Sequence, residues 1–176
     1  MKKELRLSGS GGQGLILGGI ILAEAAINSD MNAVQSQSYG PEARGGASKA
    51  EVIISDEEIH FPKVRKPAFL LCLTQKSFDK YSIDLADDAI LMVDSSVNIG
   101  DNVVTKNIYS VPILKTAAEK IGRSMVANIV ALGAIREITN VVSQEALKEA
   151  VLNRVPAGTE DLNARALEEG ALLVRK

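Results

Sequence analysis

The chain has 176 residues, 46% hydrophobic and 24% charged, a globular composition with enough length to bury one core. A formal net charge of −2, aromatics at only 3% and no Trp exclude the basic field and stacking platforms of a nucleic-acid binder. No run reaches the roughly 18–20 apolar residues of a spanning helix. The expectation is therefore one soluble, cytoplasmic domain over residues 1–176, with neither nucleic acid nor membrane as partner. Lys2, Lys3 and the apolar run 15–23 imitate a signal peptide, but Arg6 and a glycine turn separate the two.

Glu4–Ser8 reads as a first strand and Gly12–Asn28 as a largely buried helix. Between them, Gly9-Ser10-Gly11-Gly12-Gln13-Gly14 spells G-x-G-x-x-G after a strand and before a helix. Free N–H groups and the positive end of the dipole at such a helix start suit a phosphate or carboxylate. Two readings fit: a ligand cradle, or an elbow that only lets helix and sheet pack closely. A dinucleotide site adds an acid about 20 residues on, at the end of the second strand. Here that strand, Asn32–Ser38, ends Ser36-Gln37-Ser38, without a carboxylate.

Tyr39-Gly40-Pro41-Glu42-Ala43-Arg44-Gly45-Gly46 follows. Its glycines and proline forbid a regular element, so it is a shaped loop, either a solvated surface turn or a recognition loop presenting Tyr39, Glu42 and Arg44. If it ends a strand neighbouring the first, both glycine loops share one edge of a parallel sheet, where ligands dock.

Ser48–Ser55 reads as a strand, with 48–58 a candidate for an antiparallel segment. The continuous apolar runs Ala68–Leu73 and Ala89–Val93 read as strands covered on both faces. A short helix is expected over Ser77–Tyr81, and one or two strands over Val103–Val111. Helices are expected from Pro112 to Ile121, Met125 to Thr139, Ser143 to Val151 and Thr159 to about Leu173. Ala127, Ala131, Gly133 and Ala134 permit close packing of the second of these, and the polar Asn128 must satisfy a buried group or reach a neighbour. The predicted class is α/β: a Rossmann-like, mostly parallel sheet with helices on both faces and a helical C-terminal third.

Reactive chemistry is sparse. Cys72, the only cysteine, sits in a buried-strand pattern and reads as a core residue, which excludes an internal disulfide or a cysteine-ligated cluster in this chain. His60 has no partner of catalytic type nearby and reads as structural. Asp94 closes a strand at its C-terminal end, as a site candidate or a turn cap. Leu15 stands where a phosphate-binding P-loop has Lys. The chain reads as one that binds and shapes, with no catalytic residue.

Taken together, G-S-G-G-Q-G at 9–14 and Q-S-Y-G-P-E-A-R-G-G at 37–46 resemble the gamma subunit of the 2-oxoacid:ferredoxin oxidoreductases. The likeness runs through M-V-A-N-I-V-A-L-G-A at 125–134. The resemblance implies an accessory subunit of an enzyme that converts a 2-oxoacid, coenzyme A and oxidised ferredoxin to acyl-CoA, CO2 and reduced ferredoxin. It implies alpha, beta and in some cases delta partner subunits carrying thiamine diphosphate, Mg2+ and iron–sulfur clusters, with none of these bound by this chain alone. Coenzyme A is implied to lie partly against Gly9, Gly11, Gly12, Gln13 and Gly14 and against Tyr39, Gly40, Pro41, Glu42, Arg44, Gly45 and Gly46. Arg44 would meet a phosphate, and Glu42 would orient Arg44 or a partner chain. The form S-Y-G-P-E-A-R-G-G-A-S resembles the 2-oxoglutarate branch, with the pyruvate and branched-chain branches as alternatives.

Overall fold

A computed structural model describes residues 1–38 and 46–175. The apolar runs become six strands: β1 (Lys2–Ser10), β2 (Asn32–Gln37), β3 (Ala47–Ser55), β4 (Phe69–Cys72), β5 (Ile90–Asp94) and β6 (Asn107–Val111). Helix α1 (Leu15–Ile27) follows β1, and α2 (Gln75–Tyr81) follows β4. The C-terminal third is helical, with α3 (Ile113–Lys115), α4 (Ala127–Thr139), α5 (Gln144–Arg154) and α6 (Glu160–Leu172). A π-helical segment, Thr116–Ile121, continues α3, and a 3-10 turn, Ser124–Val126, leads into α4.

The strands lie in the order β2-β3-β1-β4-β5-β6. Pairings from β1 through β4 and β5 to β6 are parallel, while β3 is antiparallel to both β1 and β2. The sheet is thus mostly parallel, with one reversed strand where residues 48–58 suggested it. The first two strands, expected as neighbours, are separated by β3. Burial explains the insertion. Every β3 residue except Lys49 is buried, as an interior strand requires, whereas β2 (NAVQSQ) stays half-exposed and takes the edge.

Side-chain alternation divides the core into two layers. Leu5, Leu7, Val52, Ile54, Leu71 and Met92 face α1, α4, α5 and α6 in the larger layer. Leu70, Cys72, Leu91 and Val93 face Phe78 and Tyr81 of α2 and the turn through Leu85 and Val97. Helices cover both faces, but unequally. Beside α2 the sheet carries a polar cluster in which Glu51 accepts Arg6 Nε at 2.7 Å and Lys49 Nζ at 2.9 Å. Arg6 and Lys49 both stand over the Tyr81 ring, 5.5 and 5.8 Å from its centroid. The buried carboxylate is paired with two half-buried cations, so the group is satisfied rather than reactive.

The C-terminal helices close on each other through two glycines. Gly133 of α4 meets the carbonyl of Leu167, and Gly170 of α6 meets the carbonyl of Val130. Side chains cap two helix starts: Thr74 caps α2 by a reciprocal bond with Ser77, and the Ser143 hydroxyl at the start of α5 accepts Ala146 N–H at 3.0 Å.

Cys72 is fully buried in β4, with burial pushing its thiol pKa up to about 11, opposed by the Ser8 hydroxyl. A buried thiol that resists ionisation keeps its proton while the unfolded chain loses its own. Native stability is therefore complete below the unfolded thiol value and falls by about 1.4 kcal/mol per pH unit between roughly pH 9 and 11 from this group. Cys72→Ala should flatten that part of the pH profile. Urea midpoints of the two proteins at pH 8 and pH 10.5 measure the difference.

Candidate functional site

The glycine elbow is built mainly from its own residues. After Ser10 the chain turns so that Ser10 N–H donates to Gln13 Oε1 at 2.8 Å, and Gln13 N–H returns to the Ser10 carbonyl at 3.4 Å. The Gln13 side chain therefore lies over Gly9, where a β-carbon would run into Gln13 Oε1 and sit 3.2 Å from both Leu15 and Leu73. Gly12 and Gly14 take the left-handed backbone, with φ of +85° and +72°. The Gly14 carbonyl accepts Asn128 Nδ2 at 3.1 Å, and Asn128 Oδ1 accepts Ile129 N–H at 2.9 Å. Asn128 thus satisfies a helix-start donor on α4 and ties α4 to the elbow, the kind of contact its position on an apolar helix requires.

Three of the four motif glycines are accounted for inside the chain. Gly9 admits Gln13, while Gly12 and Gly14 supply turn geometry. What remains open to a ligand is the exposed backbone of Gly11 and Gly12 and the start of α1. That helix has Gly14 as its N-cap, no side-chain cap and no acid in its first turn, so its dipole end is uncompensated.

Register brings the second glycine loop to the same edge. Ala47, the first residue of β3, pairs with Ser10, the last of β1. Gly46 forms a half-buried bend just before it. β2 and β3 are antiparallel neighbours, so the strand ends that bracket residues 39–45 reach this edge through the reversed strand and not through adjacency of β1 and β2. Tyr39, Gly40, Pro41, Glu42, Arg44 and Gly45 lie outside the described residues.

The same insertion weakens a dinucleotide reading. With β3 between them, the ends of β1 and β2 are two strand spacings, roughly 10 Å, apart. At the end of β2, Gln35 Nε2 donates to Gln37 Oε1 at 3.0 Å, and among the described residues the strand ends without an acid to hold a ribose.

The other candidates are occupied elsewhere. Asp94 accepts Ser96 N–H at 3.0 Å, Ser96 Oγ–H at 2.6 Å and Leu114 N–H at 2.8 Å, so it caps both its turn and α3. His60 is exposed on the connector after β3. Among the described residues no group of three or more His, Cys, Asp or Glu side chains could hold a metal ion, and no helix is long and apolar enough to cross a membrane. Two residues beside the elbow escaped the sequence reading. Met125, read as part of an apolar helix, stands 87% exposed on the 3-10 turn, and Arg123 precedes it in extended backbone. Gly122, in the left-handed conformation, ends the preceding helix where the sequence placed the break, but the chain then makes a 3-10 turn over Ser124–Val126 before α4 begins.

Comparison with known proteins places these features. Residues 4–173 match the family model for pyruvate ferredoxin/flavodoxin oxidoreductase. The chain is 50% identical to 2-oxoglutarate synthase subunit KorC of Methanocaldococcus jannaschii, covering 97% of this chain and 92% of that one. The crystal structure of a keto/oxoacid ferredoxin oxidoreductase gamma subunit from Geobacter sulfurreducens superposes with a TM-score of 0.85 at 50% identity, covering 96% and 95% of the two chains. Ketoisovalerate oxidoreductase subunit VorA of Methanothermobacter thermautotrophicus is 35% identical over 98% of this chain, but the match takes up only 36% of that longer polypeptide. This chain is a member of the pyruvate ferredoxin/flavodoxin oxidoreductase family.

Proposed function

We propose that the chain is the gamma subunit of a 2-oxoglutarate:ferredoxin oxidoreductase, a single gamma-type domain that works in the cytoplasm as part of a hetero-oligomer. The observation that carries this reading is the two-way, nearly full-length match to KorC at half identity. The enzyme so assigned converts 2-oxoglutarate, coenzyme A and oxidised ferredoxin to succinyl-CoA, CO2 and reduced ferredoxin.

Within that complex, thiamine diphosphate, Mg2+ and the iron–sulfur clusters belong to the alpha, beta and, where present, delta subunits. The chain's own chemistry fits an accessory role, since its one thiol is buried and held protonated. Its contribution is the edge formed by the elbow and the 39–46 loop, where coenzyme A docks. Exposed backbone at Gly11 and Gly12 and the uncapped start of α1 suit the anionic end of that molecule. Arg44 supplies a charge-assisted partner for a phosphate, and Glu42 orients it.

The test is purification of the tagged chain from its native cell, followed by assay of the eluate for coenzyme A-dependent reduction of viologen dye. Activity with 2-oxoglutarate and not with pyruvate or branched-chain 2-oxoacids is the expected result. Activity with another 2-oxoacid would move the chain to a different branch of the family. A lone chain without activity would remove the assignment.

A further inference from the structure

Asn128 is 6% exposed, and both polar atoms of its side chain are committed. Its Oδ1 accepts the Ile129 N–H at 2.9 Å, which leaves Nδ2 to donate to the Gly14 carbonyl at 3.1 Å. That carbonyl also accepts the Gly18 N–H at 3.0 Å, in the first turn of α1. Both of its lone pairs are therefore engaged, one by the helix itself and one from 114 residues away. The Gly14 carbonyl and the Leu15 N–H belong to one planar peptide and point in opposite directions. Holding the carbonyl thus holds the N–H, which is among the first donors of α1 and has no partner within the helix. Glycine on the near side of that peptide, at φ +72°, places few steric limits on how it turns. The missing β-carbon also admits the clamp, since one placed there would stand 2.5 Å from Asn128 Nδ2.

We infer that Asn128 is a positioning residue for the anionic end of coenzyme A, fixing the Gly14–Leu15 peptide so that the Leu15 N–H meets a phosphate oxygen without reorganising. A donor set in place before the ligand arrives binds more tightly than one the ligand must order. Asn128 acts through Gly14 and does not touch the ligand. Its effect is therefore on the affinity for coenzyme A and not on the turnover of the bound molecule. Aspartate at 128 would match the size of asparagine and still accept the Ile129 N–H. Its carboxylate, however, offers the Gly14 carbonyl no donor and sets a negative charge behind the anion. The inference rests on the reading that coenzyme A docks at the elbow, and adds what holds the elbow in its binding form.

The experiment uses the complex purified through the tagged chain, as wild type, Asn128→Asp, Asn128→Ser, Asn163→Ala and Gly11→Asp. Serine is the milder change, a small hydroxyl one bond short of the Asn128 amide. Asn163 is the control, as deeply buried at 4% exposed and donating through Nδ2 to the Thr159 carbonyl at 2.9 Å. Its loss therefore measures destabilisation away from the elbow. Calorimetry gives the Kd of coenzyme A without 2-oxoacid, viologen assays give KM and kcat, and thermal melts report folding. Asn128→Asp and Asn128→Ser are expected to raise the Kd and KM of coenzyme A about tenfold, the effect of losing one charge-assisted hydrogen bond. The kcat and the 2-oxoglutarate KM should stay within about twofold of wild type. Asn163→Ala should lower the melting temperature and leave the coenzyme A Kd unchanged. A folded Asn128→Ser complex with the wild-type Kd overturns the inference, as does an equal rise in Kd with Asn163→Ala. Gly11→Asp tests the reading underneath, because a carboxylate on the exposed elbow should weaken coenzyme A at least as much. An unchanged Kd for Gly11→Asp would show that coenzyme A docks elsewhere, and that reading would fall.

Discussion

Gly133→Ala should destabilise the protein by about 3 kcal/mol or more, at the upper end of overpacking costs, and Gly170→Ala should do the same. The reason is what each new methyl would meet. At position 133 it would be driven into the Leu167 carbonyl, with that carbonyl's carbon at 2.9 Å. At position 170 it would strike the Val130 carbonyl, with the carbon at 2.8 Å. Both obstacles are helix backbone, which cannot rotate aside, so α4 and α6 must separate and lose packing among Val130, Ala134, Ala166 and Leu167. For a domain of this size the cost corresponds to a fall of roughly 6–12 °C in melting temperature. Gly158→Ala is the control. Its φ of +86° makes alanine unfavourable, but the space around it is empty, so only about 1–2 kcal/mol is expected. Equal shifts at 133 and 158 would show that backbone conformation, and not helix contact, governs these sites.

Gly14→Ala is expected to cost about 2–4 kcal/mol, against about 1–2 for Gly12→Ala. Both positions have positive φ, so both carry the left-handed penalty. They differ in surroundings. A β-carbon at Gly12 meets nothing, whereas at Gly14 it would stand 2.5 Å from Asn128 Nδ2 and 2.8 Å from its Cγ. The amide would have to withdraw, breaking its bond to the Gly14 carbonyl. Asn128→Ala removes both obstacle and bond, so Gly14→Ala should cost less in that background than alone. Denaturant midpoints around this double-mutant cycle give the coupling directly. Additive costs would mean that Asn128 and Gly14 do not sense each other.

Much of this was legible in the residues. Continuous apolar runs marked β4 and β5, since strands covered on both faces need no polar alternation. The glycine motif between β1 and α1 was placed correctly, as was the need for Asn128 to find a partner. Gly133 stood out within a run of small residues. Its counterpart Gly170 did not, because it lies in the polar sequence EDLNARALEEGAL, where nothing local signals a backbone contact. The place of β3 was likewise hidden. Local pattern marks a strand and hints at its direction, but strand order follows from which strand buries both faces, a property of the assembled sheet. The partner of Asn128 was illegible for the same reason, because Gly14 is far away in sequence. Met125 belongs by composition to the apolar stretch that α4 buries, so its exposure was hidden too. The substitution of Gln13 for an open phosphate cradle also needed coordinates, because only they show its amide folded back onto Ser10.

The middle position of β1 has a consequence for how the chain is made. Among the described residues, β1 is the only strand joining the antiparallel pair β2–β3 to the parallel trio β4–β6, and it is synthesised before all of them. At a synthesis rate of roughly 5–20 residues per second, both edges of that ribbon wait, for seconds at the slower rates, for partners at 47–55 and 69–72. The nascent chain is therefore most open to wrong pairing at β1. Deleting β1 would divide one sheet into two fragments, neither with a closed core.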